Sequence, residues 1–335
     1  MMKAVRFLGH GELSIDEVDR PVPDKDSVII KVKASALCGS ELHRFLGPPE
    51  QLGTTLNSGH EVVGEIVEAP KGSAYQPGQR VGARVVQGCG QCDWCRQGEE
   101  TGCANKRYDT SNGHSEYFKL GLRGIHPLPD DVDWIKGVIL SGDGLGVPAR
   151  CARRLGDTRD KKVVVLGLGP VGLSCSLVQS WRGAQVMGIE VSPYRLNLAS
   201  KLGAVATVDP SAESVKDRVM DWTDGHGADI VILAVARNDA LVTAFKVVRR
   251  HGTVFQVAEL GQATMTFNAA FIQREVHMTG SWYYTSSDWP HMLELDRSGL
   301  PYAKLITHVV PFEQAQEAFD RFVSGQSGKV VLTYE

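Results

Sequence analysis

The sequence predicts an α/β protein in which a doubly wound parallel sheet is inserted into a mainly β domain. From Lys161 onward, five apolar runs rich in β-branched residues alternate with plausible helices, which is typical of a parallel sheet covered on both faces. The first 128 residues differ, because their apolar runs 3–7 and 28–36 are short and are separated by a turn region at Pro21 and Pro23. Such runs are typical of antiparallel strands, and the segment after residue 283 returns to this mixed pattern.

The length of 335 residues exceeds what one hydrophobic core usually spans, so two domains are expected. We predict a first domain over 1–147 that carries a small cysteine-rich lobe at 88–104. The inserted domain is predicted over 148–282, and 283–335 completes the first domain. Helices of the inserted domain are predicted at 171–182, 193–202, 212–221 and 238–250.

Composition and charge argue against several classes of partner. The formal net charge is only −3 and no block of like charges occurs, so nothing in the sequence favours binding to nucleic acid or to an anionic membrane. Small-molecule partners are therefore favoured. The first eleven residues resemble neither a signal peptide nor a spanning helix, which predicts a cytoplasmic location. Seven cysteines are too few for a disulfide scaffold, so their spacing needs another explanation.

A glycine-rich turn follows the first apolar strand of the inserted domain. The strand 163–166 leads directly into Gly167-Leu168-Gly169-Pro170-Val171-Gly172, and an apolar helix is predicted after it. Here Gly167 permits a tight turn, Gly169 lets the backbone approach a pyrophosphate, and Gly172 lets helix and strand pack closely. The helix N-terminus offers free N–H groups to phosphates, so the turn predicts a Rossmann-type dinucleotide site, with an empty structural turn as the alternative.

Two charged residues bear on the choice of dinucleotide. Glu190 ends the second strand of the inserted domain, where a carboxylate can accept hydrogen bonds from the adenosine ribose, although a solvated strand-end carboxylate is the alternative. A carboxylate repels a 2′-phosphate, which favours NAD over NADP. Arg195 lies five residues further on and could pair with that phosphate if Glu190 turned away, so NADP remains the less favoured alternative.

The lobe contains four cysteines within fifteen residues, at Cys89, Cys92, Cys95 and Cys103. Four thiolates complete a tetrahedral zinc shell and leave no position for water, so this spacing predicts a structural zinc site. An iron–sulfur cluster is the rival interpretation, but the final spacing and the missing proline after the last cysteine depart from the common bacterial pattern.

Two further segments carry residue types that bind metals. Cys38 lies in CGSELH, and His60 and Glu61 lie in GHE. Taken alone these residues mean little, because a lone histidine is usually satisfied structurally and a lone cysteine often behaves as a small apolar residue. Their neighbourhood is more specific than the residues themselves.

The order and spacing of CGSELH, GHEVVGEIVE, the four-cysteine lobe and GLGPVG resemble the zinc-containing medium-chain dehydrogenase family. That family includes alcohol, sorbitol, threonine and formaldehyde dehydrogenases, and the resemblance covers essentially the whole chain. It implies a GroES-like catalytic domain, a Rossmann domain that binds NAD(P), and zinc-dependent oxidation of an alcohol to the carbonyl compound. It also implies two zinc ions per chain, one catalytic and one structural.

The resemblance further implies that Cys38 and His60 bind the catalytic zinc. A third ligand should precede the nucleotide domain, and in VILSGDGLGVPAR the fitting side chain is Asp143, with a loop-capping carboxylate as the alternative. Glu61 is expected either to lie just outside the ligand shell or to alternate as a fourth ligand. This mixed shell leaves one position open, as a catalytic zinc requires.

The implied reaction begins with the alcohol oxygen in the open zinc position, where the cation stabilises the alkoxide, and continues with hydride transfer to the nicotinamide. The proton is expected to leave through Ser40, the nicotinamide ribose and His43. The alternatives are a helix cap for Ser40 and an ordinary surface position for His43. His114 in NGHSEYF is interpreted as a surface histidine, with a place near the active site as the alternative.

The sequence defines the substrate less sharply. Ser40 leaves room for secondary alcohols, and the loop 45–53 and the segment 282–289 are expected to line the pocket. A polyol or sugar alcohol is preferred, because sorbitol-like and threonine-like members share the CGS motif and this length. A zinc-stabilised NAD sensor without turnover is one alternative, and a zinc-free quinone or enoyl reductase, whose relatives lack both cysteine-containing motifs, is the other.

By the same resemblance a homo-oligomer is expected, a tetramer more than a dimer. Relatives of this length associate through the edge strand of the nucleotide domain and the cysteine lobe. The predicted edge strand is VHMTGSW at 276–282, whose partner would otherwise be water.

Overall fold

The computed structural model of the protein describes residues 1–52, 58–109 and 112–335. These residues form two compact units, one made of 1–146 and 285–335 and the other of 147–284. Residue 53 of the predicted pocket loop lies outside the described residues. Among the described helices, none is long and apolar enough to cross a membrane.

The described residues form 17 strands and 11 α-helices, joined by turns and short 3-10 segments. The strands are β1 (Met2–Gly9), β2 (Glu12–Val18), β3 (Ser27–Ala36), β4 (Glu61–Glu68), β5 (Arg80–Ala83), β6 (Val86–Gln87), β7 (Arg107–Tyr108), β8 (Tyr117–Gly121), β9 (Ile125–Pro127), β10 (Lys162–Leu166), β11 (Gln185–Ile189), β12 (Ala206–Val208), β13 (Ala228–Leu233), β14 (Val248–Gln256), β15 (His277–Gly280), β16 (Ile306–Pro311) and β17 (Lys329–Thr333). The helices are α1 (Leu42–Phe45), α2 (Asp93–Arg96), α3 (Trp134–Ser141), α4 (Asp143–Leu155), α5 (Pro170–Trp181), α6 (Pro193–Lys201), α7 (Val215–Trp222), α8 (Asn238–Val247), α9 (Phe267–Ala270), α10 (Trp289–Arg297) and α11 (Ala315–Val323).

The first unit is built on a seven-stranded sheet with the order β16-β17-β3-β4-β5-β9, in which β8 also pairs with β3. Its strand pairs are antiparallel except for β16 with β17. Phe7, Phe45 and Phe319 pack together in the core of this unit, with ring centroids 4.8–5.6 Å apart. This unit is the mainly β domain that the sequence predicts.

Three strands of this sheet bring distant segments of the chain to one place. Ala36 at the end of β3 pairs with Glu61 of β4 on one side and with Val331 of β17 on the other. Since β3 runs antiparallel to both neighbours, the residues that follow Ala36 meet the beginning of β4 and the beginning of β17. Side chains from these three segments can therefore share one site.

The second unit contains a six-stranded sheet with the order β12-β11-β10-β13-β14-β15, and every strand pair in it is parallel. Val163, Val164 and Val165 of the central strand β10 are fully buried, as expected for a strand covered on both faces. The strand order 3-2-1-4-5-6 is that of a doubly wound dinucleotide-binding sheet. The predicted fold class is thereby confirmed.

The predicted helices agree with the structure to different degrees. The predicted helices at 171–182 and 193–202 are α5 and α6 within one residue at each end, whereas α8 ends at Val247 because β14 begins directly after it. Helices α3 and α4 were not predicted from the sequence. Glycines and Pro148 give the segment of α4 a low helix propensity, and burial of its apolar residues overrides that propensity in the structure.

The strand β15 lies at one edge of the parallel sheet, inside the predicted edge segment 276–282. All four of its residues are exposed. Its outer side therefore presents unpaired backbone groups to the surroundings of the described chain.

Candidate functional site

Four side chains of the first unit, all of types that can bind a metal ion, come together at the end of its sheet. Cys38, His60, Glu61 and Asp143 each place one ligand atom within 4.8 Å of the others, and all four residues are buried. Asp143 Oδ2 lies 3.7 Å from Cys38 Sγ and 3.2 Å from His60 Nε2. Each of these residues is predicted from the sequence to have a role at the catalytic zinc, and the structure brings all of them together.

The local fold explains why these side chains converge. Cys38 follows the end of β3, and His60 immediately precedes β4, so the pairing of the two strands places them side by side. Asp143 is the first residue of α4, where a carboxylate interacts favourably with the helix N-terminus. Asp143 therefore has the position expected of a capping carboxylate. It also lies against the thiol of Cys38 and the imidazole of His60, which a capping role alone does not explain.

The electrostatics of this cluster favour a bound cation. Burial opposes a charge on His60, but the Cys38 thiolate and the Asp143 carboxylate outweigh it and raise the His60 pKa well above its usual value. Asp143 Oδ1 is buried and has no hydrogen-bond partner among the described residues. A buried carboxylate oxygen without a partner is costly, and a metal ion would satisfy it.

The interatomic distances fit a tetrahedral zinc site. With zinc bonds of about 2.3 Å to sulfur and about 2.1 Å to nitrogen or oxygen, tetrahedral ligand atoms lie roughly 3.4–3.6 Å apart. The measured separations of 3.7 Å for sulfur to oxygen and 3.2 Å for nitrogen to oxygen lie close to these values. The donor set of Cys38, His60 and Asp143 therefore fits zinc both in chemistry and in spacing.

Glu61 has a buried partner that the sequence analysis missed. Lys329 at the start of β17 forms an ion pair with Glu61 Oε1, and its ammonium group also donates to the carbonyl of Leu37 over 3.2 Å. Burial alone would lower the pKa of Lys329, but the Glu61 carboxylate raises it above its usual value. The other oxygen of Glu61 accepts from the backbone N–H of Gly144 over 3.3 Å. Both oxygens of Glu61 are therefore engaged by protein groups.

The predicted proton-relay residues lie on the turn that follows Cys38. Ser40 and His43 are both exposed, and His43 Nδ1 donates to the backbone carbonyl of Ser40 over 2.5 Å. The structure thus brings the two residues together through the main chain of Ser40, which leaves the serine hydroxyl available for another partner.

The interpretation of His114 as a surface histidine is wrong. Its side chain is fully buried and contacts Ser35 Oγ at 2.8 Å and the carboxylate of Glu41 at 3.2 Å. The sequence gives no direct signal for this position, because a histidine between polar residues is typical of a surface turn. Glu41 is also a residue that the sequence analysis did not single out.

The four lobe cysteines form a second cluster in the first unit. Their sulfur atoms lie within 4.8 Å of one another, with 3.9 Å between Cys89 and Cys95 and 3.5 Å between Cys92 and Cys95. Sulfurs around a tetrahedral zinc lie roughly 3.8 Å apart, whereas a disulfide bond is about 2.0 Å long. Cys103, the fourth member, is fully buried and accepts from the backbone N–H of Cys89 over 3.3 Å.

The protonation of the lobe thiols also depends on a cation. Backbone N–H groups of Gln91 and Cys92 lower the pKa of Cys89 to about 6. Burial and the neighbouring thiols raise the pKa of Cys95 to about 12. Four thiolates at this spacing therefore need a positive charge among them, which a zinc ion would supply.

A buried ion pair fixes the lobe to the rest of the first unit. Arg84 donates to Glu100 over 3.3 Å and to the carbonyl of Arg123 over 2.6 Å. Glu100 in turn accepts from the backbone N–H of Ser286 over 3.0 Å and from its hydroxyl. The segment 285–288, part of the predicted pocket segment 282–289, therefore depends on the lobe for its position.

In the second unit the glycine-rich turn has the geometry that a dinucleotide requires. Gly167 has a φ of +86°, and a Cβ at Gly172 would lie 1.9 Å from the carbonyl oxygen of Gly167. A Cβ at Gly169 would meet nothing within 4 Å, so space is open beside that backbone. Pro170 begins α5 and Val171 follows it, which places the helix N-terminus at this open space.

Glu190 lies beside the same turn and its carboxylate binds three backbone N–H groups. One oxygen accepts from Leu168 over 2.9 Å, and the other accepts from Val191 over 2.8 Å and from Ser192 over 3.3 Å. Arg195 lies on α6 after this segment, where burial lowers its pKa and Glu190 opposes that effect. The two residues that bear on the choice of dinucleotide thus interact electrostatically.

Comparison with known proteins agrees with this geometry. The model of the alcohol dehydrogenase GroES-like domain matches residues 24–130, and that of the zinc-binding dehydrogenase domain matches residues 170–297. Sorbitol dehydrogenase of Halalkalibacterium halodurans is 30% identical, with 97% of this chain and 96% of that protein covered. D-arabitol-phosphate dehydrogenase of Enterococcus avium is 29% identical, with 97% of this chain and 94% of that protein covered.

A solved structure supports the same assignment at the level of the fold. The crystal structure of 2R,3R-butanediol dehydrogenase from Bacillus subtilis matches with a TM-score of 0.86 at 24% identity, and both chains are covered completely. The family resemblance found in the sequence is therefore confirmed. The chain belongs to the zinc-binding dehydrogenase family and is an oxidoreductase of the alcohol dehydrogenase type.

Proposed function

We propose that the protein oxidises a secondary alcohol group of a polyol or sugar alcohol to the ketone, with NAD as the hydride acceptor. The observation that carries this proposal is the buried cluster of Cys38, His60 and Asp143, in which one carboxylate oxygen of Asp143 lacks a hydrogen-bond partner among the described residues. In a member of the zinc-binding dehydrogenase family, such a donor set supports a catalytic metal site.

We assign one zinc ion to Cys38, His60 and Asp143 and a second to the four cysteines of the lobe. When bound at the first site, zinc supplies a Lewis acid that makes deprotonation of an alcohol feasible near neutral pH. Cys38 and Asp143 offset part of the metal charge. By the family resemblance, Glu61 is the residue that controls access to the fourth ligand position of the zinc ion. Its ion pair with Lys329 supports a role outside the ligand shell in the resting protein.

The proposed path for the proton begins at Ser40. The exposed hydroxyl of Ser40 accepts the substrate proton as it passes its own proton to the nicotinamide ribose, and the exposed imidazole of His43 takes the proton from the ribose and releases it to solvent. The contact of His43 with the Ser40 carbonyl supports this assignment, because it holds the two residues on one turn.

We propose NAD rather than NADP as the coenzyme. Glu190 is held by backbone N–H groups at the glycine-rich turn, so its negative charge is fixed where the adenosine ribose binds in this fold. A 2′-phosphate at that position would be repelled. Arg195 carries a positive charge that would offset this repulsion, but Glu190 already interacts with it.

The preference for a polyol is supported by two kinds of observation. Ser40 is small, which leaves room for the second carbon substituent of a secondary alcohol. The curated relatives named above act, by their names, on sorbitol and on D-arabitol phosphate, which are both polyols.

The test is metal content per chain, followed by the absorbance of NADH during incubation with primary alcohols, secondary alcohols, polyols and hydroxy amino acids. We expect two zinc ions per chain and the highest kcat/KM with a polyol. Two zinc ions without turnover on any compound would favour an NAD sensor, and turnover on hydroxy amino acids alone would replace the polyol.

We also propose a cytoplasmic homotetramer. The exposed edge strand β15 supports association, because pairing with a second copy would satisfy its outer backbone groups. The described cysteines of both clusters form no disulfide bond, and a reducing compartment suits free thiols. Light scattering at micromolar concentration tests the oligomer, and a monomeric mass would contradict it.

A further inference from the structure

A chain of hydrogen-bonded polar side chains, buried except for the half-buried Tyr334, runs from the last residues of the protein to the candidate metal site. The Tyr334 hydroxyl lies 2.8 Å from Ser35 Oγ, which lies 2.8 Å from His114 Nδ1. On the other side of the imidazole ring, His114 Nε2 lies 3.2 Å from one oxygen of Glu41 and 3.4 Å from the other. Buried polar groups persist only when they are hydrogen-bonded, and this chain satisfies each of its members.

Glu41 is the last member of this series of hydrogen-bonded side chains, and its carboxylate contacts the backbone of both segments that carry proposed metal ligands. One oxygen accepts from the N–H of Cys38 over 2.9 Å, and the other accepts from the N–H of Gly59 over 2.5 Å. Gly59 immediately precedes His60. A single carboxylate therefore bridges the segment that carries the thiolate and the segment that carries the imidazole.

We propose that His114 is a positioning residue which, through Glu41, holds the Cys38 and His60 segments at the separation that one zinc ion requires. This inference rests on the proposed metal site at Cys38, His60 and Asp143. It adds to that site a residue that donates to no metal and touches no substrate.

The direction of the hydrogen bonds explains how His114 acts. Donation from His114 Nε2–H to Glu41 leaves Nδ1 free to accept from the Ser35 hydroxyl, and Ser35 can then accept from Tyr334. Hydrogen bonds to an ionised carboxylate are stronger than those between neutral groups, so the Glu41 carboxylate holds both backbone N–H groups strongly.

The backbone around His114 is itself fixed, so the imidazole can serve as an anchor. The carbonyl of His114 accepts from the N–H of Val5 over 2.9 Å, and its ring packs edge to face on Phe319 at 5.8 Å. The preceding Gly113 donates to Ser58 over 2.8 Å, beside the segment that Glu41 holds. A side chain on such a rigid support can transmit position to a ligand, as residues outside the ligand shell do in metal sites.

The competing explanation is that His114 only fills the core. Phenylalanine at this position would keep the ring and the contact with Phe319 but would lose both nitrogen atoms. Glutamine places its amide near Nε2 and can still donate to Glu41, whereas asparagine places its amide near Nδ1 and reaches only toward Ser35. The positioning role and the filling role therefore predict different results for these three substitutions.

The experiment measures zinc affinity at each site by competition with a chromophoric chelator, in full-length protein carrying both zinc ions. The Cys38→Ser variant identifies the zinc ion that belongs to the Cys38 site, and the lobe zinc serves as an internal reference. We expect His114→Phe to raise the dissociation constant at the Cys38 site by about 10–100-fold, with the lobe constant unchanged within about twofold. His114→Gln should stay within about threefold of the wild type, and His114→Asn should resemble His114→Phe.

The matched control is His126→Phe, which makes the same substitution at another buried histidine of the first unit, stacked on Trp289 at 4.4 Å. We expect it to leave both zinc constants unchanged. Cobalt substitution gives a second readout, because the ligand-field bands of Co²⁺ at the Cys38 site should shift in His114→Phe and remain in place in His126→Phe.

Three results would overturn the positioning role. The first is a zinc dissociation constant at the Cys38 site of His114→Phe that equals the wild-type value. The second is an equal loss of zinc affinity at both sites of that variant. If His114→Phe does not fold, the pair His114→Gln and His114→Asn decides, and equal constants in that pair are the third. Failure of the proposed function looks different, because the wild type would then lack any zinc that depends on Cys38.

Discussion

The two cysteine-containing clusters of the first unit are built in opposite ways. The lobe takes four identical donors from one short segment, and three of them are only partly buried. The other cluster takes a thiol, an imidazole and carboxylates from the ends of separate strands and a helix. Asp143 lies 105 positions after Cys38 in the chain, and all four residues are buried. A site made from one segment can organise that segment, whereas a site made from distant segments depends on a fold that already exists.

This difference predicts different consequences when a ligand is lost. Four thiolates close the shell of a zinc ion, so the lobe can only stabilise structure. Three mixed donors would leave a position for substrate on a zinc ion, and the pairing of β3 with β4 holds the segments that carry Cys38 and His60. Loss of a lobe ligand should therefore affect stability first, and loss of a ligand from the buried cluster should affect turnover first.

The largest effect is expected for Cys38→Ser. We expect zinc to fall from two ions to one per chain and kcat/KM to fall by about three orders of magnitude or more, since several kcal/mol of charge stabilisation are lost. Coenzyme binding and the thermal unfolding midpoint should stay close to those of the wild type. Cys151→Ser, at a buried thiol outside both clusters, is the control and should retain both zinc ions. Turnover surviving in Cys38→Ser would remove the chemistry from this site.

The next largest effect is expected for the buried ion pair between Glu61 and Lys329, whose loss should lower the stability of the first unit. Lys329→Met leaves the fully buried Glu61 without its cation, and the free energy of unfolding should fall by about 3–5 kcal/mol. The double variant Glu61→Gln with Lys329→Met should recover most of that loss, because no buried charge is left unpaired. Urea unfolding monitored by tryptophan fluorescence measures both. A loss below about 1 kcal/mol in the single variant would mean that water reaches this pair.

A smaller effect on stability is expected for Cys95→Ser in the lobe. One zinc ion should be lost, and the thermal midpoint should fall by roughly 5–10 °C, which corresponds to a loss of about 2–3 kcal/mol. Activity should decline only as the segment 285–288 loses its anchor on Glu100. Calorimetry on freshly purified protein measures the midpoint. Equal losses of stability in Cys95→Ser and Cys38→Ser would erase the distinction between the two clusters.

The smallest effect concerns the dinucleotide site, which binds its ligand through backbone groups and one carboxylate. Glu190→Ala should raise the dissociation constant for NAD about tenfold, since a charged hydrogen bond contributes on the order of 1–2 kcal/mol. Affinity for NADP should rise relative to NAD, because Arg195 is then free of its negative neighbour. Fluorescence titration with both reduced coenzymes measures the ratio. A wild-type preference for NADP would show that the role assigned to Glu190 is wrong.

The same contrast explains what could be predicted from the sequence. The lobe and the glycine-rich turn were predictable because their functional residues lie close together in the sequence, where the spacing alone restricts the geometry. The parallel sheet was predictable because each buried strand is a continuous apolar run. Helices α3 and α4 were not, since burial rather than propensity stabilises them.

The buried network around the metal site could not be predicted in this way. Lys329 lies 268 residues from Glu61 in the chain, and His114 lies 73 residues from Glu41. No local pattern marks such pairs, because each residue alone has the ordinary appearance of a strand-end lysine or a turn histidine. Asp143 was predictable only through the family resemblance, which carries spatial information that a single sequence lacks.

The position of β17 between β16 and β3 has a consequence for folding of the protein during its synthesis on the ribosome. The second unit is continuous in the chain and can fold as soon as residue 284 has emerged, whereas the sheet of the first unit stays incomplete until β17 is made. At translation rates of about 5–20 residues per second, Lys329 is synthesised roughly 15–50 s after its ion-pair partner Glu61. We expect the donors of the buried cluster to be exposed during that interval, so the time at which a zinc ion first binds there would depend on the supply of free zinc.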